Sequence, residues 1–107
     1  MLKKIITILL TASTSTAIAA DYSQDTGIIT KLYASAYGGI AVQIDTGFVD
    51  AITDNQCPTN NGWAGNNSAD SVLKSAILAA KTTGEPITIT TLGCDGGWIK
   101  IVDVYLE

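Results

Sequence analysis

Cys57 and Cys94 are the only thiols in a chain of 107 residues. Their bonding state decides how much the rest of so short a chain must do to stay folded. Residues 1–20 bear on that state. Lys3 and Lys4 open the chain, Ile5 to Leu10 form an apolar run, and Ala17-Ile18-Ala19 puts small residues where a signal peptidase reads them. This charged, apolar and small-residue order is that of a cleavable secretory signal. A membrane-spanning helix needs about 20 mostly apolar residues. Here the strongly apolar run is short and Ser/Thr-rich sequence follows it. The reading implies cleavage after Ala19 or Ala20. The product is a single domain of residues 21–107, periplasmic or secreted from a bacterium, without a membrane anchor. In an oxidising compartment an isolated cysteine pair is expected to be a disulfide. It would close a loop of about 38 residues, for which chain entropy gives an upper figure of about 4 kcal/mol. That is a large share of the ~5–15 kcal/mol by which domains are stable. The spacing does not suit a Cys-x-x-Cys redox motif.

Charge removes several function classes. With 1–20 cleaved, four lysines remain against ten acids, a net charge of −6, and the chain has neither Arg nor His. Nucleic-acid binding needs clustered cations to displace counterions from phosphates. Anionic membranes are disfavoured for the same reason. A serine or cysteine hydrolase of the usual kind lacks its imidazole base, and a zinc site would have two thiols and no imidazole. The sequence therefore carries no catalytic constellation, no metal site and no cofactor motif. Asp45, Asp50, Asp54 and Asp95 are the acids to weigh for glycosidase or Ca²⁺ chemistry. Surface loops explain them equally well, and Asp45 to Gln56 lacks the ligand alternation of an EF-hand loop.

Periodicity gives the elements. Asp21 to Thr26 is polar and reads as a loose end. Ile28 to Ala34 alternates as a strand, Tyr37-Gly38-Gly39 is a turn, and Ile40 to Asp45 is a second strand that should pair with the first. A third strand lies at Phe48 to Ile52, or near Cys57 or Trp63. Asn55 to Ser68 is rich in Asn, Gly and Pro and reads as mostly loop. A helix over Ala69 to Thr82 is capped by Asn67 or Ser68, with Asp70 in its first turn. Val72, Leu73, Ala76, Ile77 and Ala80 form its apolar stripe. Gly84 ends it in left-handed conformation and Pro86 blocks continuation. Ile87 to Leu92 is a strand, residues 93–97 a turn, and Trp98 to Leu106 the last strand. Its apolar phase slips at Ile101-Val102, the mark of a β-bulge or of burial on both faces. The fold class is mainly β with one helix, in the order β-β-β-α-β-β. That is the order of a small five-stranded OB-like barrel, with an open antiparallel sheet under one helix as the competing architecture.

Several stretches resemble a family. These are Gly27-Ile28-Ile29-Thr30-Lys31-Leu32-Tyr33, the later Cys57 and Trp63, the run Ala79 to Ile89 with its Thr-Gly-x-Pro-Ile-x-Ile pattern, and Gly93-Cys94 before the last strand. Together they resemble small secreted bacterial proteins related to the B subunit of subtilase cytotoxin, themselves similar to pertussis-like toxin B subunits. The resemblance implies an OB fold, assembly into a homo-oligomer and binding of host glycans. The toxin subunits are longer and carry further cysteines and aromatic residues, and none of their sugar-contacting residues is carried over to a position here.

Aromatic residues are the remaining candidates for a ligand surface. Trp63 sits among Asn60, Asn61, Asn66 and Asn67, where amides could meet sugar hydroxyls around an aromatic platform. Tyr33 and Tyr37 border the first hairpin. An indole in so small a domain ordinarily plugs the core, and that is the first expectation for both Trp63 and Trp98. Two functions follow. One is a secreted or periplasmic non-catalytic binding module, glycan-binding in the manner of a toxin B subunit. The other is a small periplasmic inhibitor or envelope accessory protein that docks on one protein partner through a sheet edge or the Asn-rich loop. Cys57→Ala is expected to lower unfolding free energy by about 2–4 kcal/mol, measured by denaturant titration. A variant that unfolds with the parent would show that the bridge carries none of the stability.

Overall fold

The computed structural model describes residues 21–107, so the secretory signal expected over residues 1–20 lies outside the described residues. The described residues form six strands and two helices. These are β1 (Ser23–Gly27), β2 (Ile29–Ala34), β3 (Ile40–Ile44), α1 (Val49–Thr53), β4 (Ala64–Asn66), α2 (Ser71–Thr83), β5 (Ile87–Asp95) and β6 (Trp98–Leu106). One mixed sheet holds all six strands in the order β1-β5-β6-β4-β3-β2. Neighbours run antiparallel except β4 and β6, which are parallel. The closed five-stranded barrel with a single helix is therefore corrected to a six-stranded mixed sheet with two helices. β1 and β2 stand at opposite ends of the strand order yet are separated in sequence only by Ile28. They meet end to end, so no ladder joins them.

The bend between them is held at three points. Ile28 donates its amide to Asp45 Oδ1 at 2.9 Å, its carbonyl accepts from the Asp45 amide at 2.9 Å, and Thr46 Oγ1 donates to Thr26 O. Gly27 leaves room for the two side chains that hold the bend. A Cβ at that position would stand 2.7 Å from both Asp45 Oδ1 and Thr46 Oγ1.

The polar N-terminal stretch is no loose end but strand β1, paired along its length with β5. Its inward positions are Ser23, Asp25 and Gly27, so it lacks the apolar alternation of a strand. Buried Asp25 explains the second correction. Its two carboxylate oxygens accept from the amides of Asp50 (2.8 Å) and Ala51 (3.1 Å), the free N–H groups that open α1. Those donors would otherwise lack partners. Residues 48–52 thus coil rather than extend, with Phe48 and Ala51 buried at i, i+3. Of the places offered for the third strand, the one near Trp63 holds: β4 begins immediately after it.

The long helix begins slightly later than expected. Its cap is Asp70, whose carboxylate accepts from the Val72 amide at 2.9 Å, in place of Asn67 or Ser68. It ends at Gly84, in left-handed conformation, with the Gly84 amide on Ala80 O. Ile77 and Ala80 are buried and Leu73 packs on the core, whereas Val72 lies outward.

Isoleucine dominates the interior. Ile29, Ile40 and Ile44 from the β2–β3 hairpin meet Ile87, Ile89, Ile99 and Ile101 from β5 and β6, under Ile77 and Phe48. Each such side chain contributes roughly 1.5–3 kcal/mol on full burial. β-Branched residues also suit the extended backbone.

Three register shifts keep these side chains inward. Thr30 is extra in β2, so Ile29 and Leu32 both face the core. Val102 is extra in β6, the bulge that the slipped phase at Ile101-Val102 foretold. β5 continues through the expected turn to Asp95, with a second irregularity between Thr91 and Cys94, and only Gly96 and Gly97 turn the chain.

Next to that irregularity Thr91 is fully buried, and its hydroxyl has no hydrogen-bond partner. An unpaired buried hydroxyl costs about 1–3 kcal/mol. Thr91→Val keeps the shape and removes the polar atom. It is expected to raise unfolding free energy by about 1 kcal/mol in chemical denaturation. Destabilisation by this variant would mean that the hydroxyl is paired in solution.

Candidate functional site

Strand register builds one outward face from β2, β3, β4 and β6. Tyr33 pairs Ala41, Ala41 pairs Gly65, and Gly65 pairs Lys100, which sets two small residues between a phenol and an ammonium. Trp98, two residues before Lys100, shares its side of the sheet. The indole lies over the small residues. A Cβ on Gly65 would stand 2.5 Å from Trp98 Cε3, 2.6 Å from Ile40 O and 2.7 Å from Ala41 Cβ. Gly65 is therefore the floor on which the ring rests, and any side chain there would displace it. The far edge of the indole reaches Gly39, where a Cβ would lie 3.5 Å from Trp98 Cη2. Tyr33 meets the ring edge-on, with centroids 5.6 Å apart and planes at 64°, a favourable quadrupole geometry.

Of the three aromatic residues singled out from sequence, Tyr33 is 47 % exposed in this pair, and Tyr37 is 94 % exposed in the hairpin loop beyond it. Trp63 is partly exposed, one residue before β4, and its carbonyl accepts from the Ile99 amide at 3.0 Å. Trp98 is partly exposed as well. It belongs to this face and not to the interior, the place first expected of it. The signal was present in the strand: buried Ile99 and Ile101 assign 98 and 100 to the opposite side.

The asparagines serve the loops that frame this face. Asn60 Oδ1 accepts from the Gly62 amide and its Nδ2 donates to Cys57 O. Asn61 Oδ1 accepts from the Trp63 amide, and the Asn61 main-chain amide donates to Gly97 O. Asn66 accepts from the Ser68 amide and donates to Ile101 O. These are the side-chain mimics of turns that Asx residues favour. The amide-lined ligand cradle expected around Trp63 is mostly internal bonding of this kind.

Asp95 anchors the frame. It accepts from the Asn67 amide at 2.8 Å and from Asn67 Nδ2 at 2.9 Å. These two bonds hold its carboxyl below the ordinary carboxylate value, against the opposing effect of burial and with the smallest contribution from the Lys100 charge. The other candidate acids are not gathered with it. Asp45 holds the β1–β2 bend, Asp50 lies in α1 and Asp54 accepts from Ser23 Oγ.

The sulfurs lie behind the frame. Cys57 and Cys94 are bonded, with Cα atoms 4.9 Å apart. Cys57 is buried and Cys94 exposed. Beside the bridge, Gln56 Oε1 accepts from the Gly93 amide while Gln56 Nε2 donates to Ser23 Oγ and Asp21 O.

No protein-family model, curated protein or solved structure matches this chain. No helix among the described residues is long and apolar enough to cross a membrane.

Asp95 has a pH signature. Its carboxyl is lowered in the folded state, so its contribution to stability is complete above the unfolded value near 3.8. It is lost as pH falls through the folded value. The stability difference between the parent and Asp95→Asn should therefore be constant above pH 5 and shrink below pH 4. A difference that is flat down to pH 2 would mean that Asn67 does not hold the carboxylate.

Proposed function

We propose that this chain is a non-catalytic binding module, exported to the periplasm or beyond, that holds a glycan on the Tyr33–Trp98 face. The observation that carries the reading is a partly exposed indole packed against Gly65, where no side chain would fit, and edge-on to an exposed Tyr33. A solvent-facing aromatic platform on a rigid sheet offers an apolar surface to the C–H face of a sugar ring. Its preorganisation limits the ordering cost of binding. In this reading Tyr37, Trp63 and Lys31 would supply further contacts.

Strand order supports an OB-like reading. Counting β1 and β2 as the halves of one strand bent at Ile28 leaves five, with α2 between the third and the fourth. In that count the loop 35–39 joins the first strand to the second, and the turn 96–97 joins the fourth to the fifth. OB barrels hold oligosaccharides and oligonucleotides through these two loops and the face between them. The net charge of −6 speaks against the second ligand class. Assembly into a homo-oligomer, which the toxin-B resemblance implies, belongs to the same reading.

A glycan array followed by thermal-shift titration tests it. At least one glycan should bind and raise Tm, and Tyr33→Ala should weaken that glycan tenfold or more while leaving the Tm of the free protein within a few degrees. An empty array, together with a monomer by light scattering, would remove both the ligand class and the assembly.

A further inference from the structure

The other end of β6 carries a second surface. β4 pairs with β6 only at Ile99 and Lys100, and the Asn66 side chain closes the last rung on Ile101 O at 3.0 Å. β5 uses the opposite edge of β6 through to Leu106. From Val102 onward β6 therefore has one edge with no strand partner among the described residues. Such edges accept further strands unless something blocks them.

Beside this edge lies an open groove of about 290 Å³ between β6 and the first turns of α2. Val72, Leu73 and Ala76 line it from the helix, and Val102 and Val104 from the strand. Val72 is 74 % exposed, an aliphatic side chain held in water at the groove mouth. The bulge brings Val102 into the lining. Asp70 and Asp103 complete the wall, and no lysine contributes to it.

We propose that this edge and groove bind an extended segment of another protein, cationic and aliphatic in composition, as an added strand. Its main chain would continue the ladder along Val102 to Leu106, its alternate side chains would enter the groove, and its lysines or arginines would meet Asp70 and Asp103. The unpaired main-chain edge favours an extended occupant over a helix. Charge favours a foreign segment over a second copy, because residues 21–107 of another copy, with ten acids and four lysines, would bring like charge to an acidic wall. The surface lies at the end of β6 remote from Trp98, so the two sites can be tested separately.

The probe is an acetylated peptide of alternating lysine and valine, seven residues long, with a glutamate-for-lysine counterpart as control. Fluorescence anisotropy should show the cationic peptide binding at least tenfold more tightly than the acidic one. Asp103→Asn should narrow that preference. Val72→Lys, at an exposed helical position that folding does not depend on, should weaken the cationic peptide tenfold or more. Amide exchange should slow at residues 103–106 on binding. Three results would each overturn the proposal: equal affinity for the two peptides, no binding at millimolar concentration, or a dimer in sedimentation that Val72→Lys dissociates. A circular dichroism spectrum matching the parent shows that the variants fold, and neither touches the Tyr33–Trp98 face.

Discussion

The bond between Cys57 and Cys94 shortens the search that β4 must make. In the hydrogen-bonded order, β4 is the only strand that connects the β2–β3 hairpin to the β6–β5–β1 ribbon. Yet it has three residues, with three register positions on β3 and two on β6. So few rungs do not offset the entropy of closing a long polar loop. The bridge fixes one end of that loop against β5. Gln56 ties the same point to the Gly93 amide, and the Asn61 amide reaches Gly97 O across the next turn. The chain then arrives at the slot between β3 and β6 already positioned. Gly65 arrives with it, and Gly65 is what leaves room for the Trp98 ring. The covalent link, the continuity of the sheet and the shape of the aromatic face are one dependency.

The register irregularities have a common logic. A regular strand must alternate, so a chain that needs two inward residues out of phase must insert one. Thr30, Val102 and the residues between Thr91 and Cys94 are those insertions. Each resets the inward set: Ile29 with Leu32, Ile101 with Val104, and Thr91 ahead of the disulfide. The last reset places a threonine in the interior beside a stretch that must also reach a sulfur. Its unpaired hydroxyl marks where interior packing and bridge geometry ask for different residues.

Legibility in the sequence followed the range of the forces involved. The β2–β3 hairpin, the end of α2 at Gly84 and the slipped phase of β6 are local, and each left a local trace. The disulfide was legible because only two cysteines exist. β1 and α1 were not. Asp25 faces inward to cap a helix 25 residues away, so the strand lost its apolar pattern and the helix shows no cap of its own. Asp70 took the cap of α2 because its side chain reaches the Val72 amide, while Asn67 was already committed to Asp95. The aromatic face was half legible. Tyr33 and Tyr37 stand by the hairpin as expected. Trp98 was taken for an interior plug because size argues for burial more loudly than alternation argues against it.

The distribution of acids bears on both surfaces. Asp25, Asp45, Asp54, Asp70 and Asp95 each accept a hydrogen bond that fixes a bend, a cap or a loop. A chain without arginine or histidine has few other ways to organise its turns, since its lysines are flexible donors. Using carboxylates as structural acceptors leaves a strongly negative surface as a by-product. Against that background Lys31 and Lys100 share a side of the sheet with Tyr33 and Trp98, and the groove at the far end of β6 has acids alone. One strand thus links a face where lysines stand beside Asp95 to a groove whose charged lining is acidic alone. A cationic segment would therefore be favoured at the groove by charge, whereas a neutral sugar would be held at the aromatic face by apolar contact, so the two proposed ligands differ in the force that selects them.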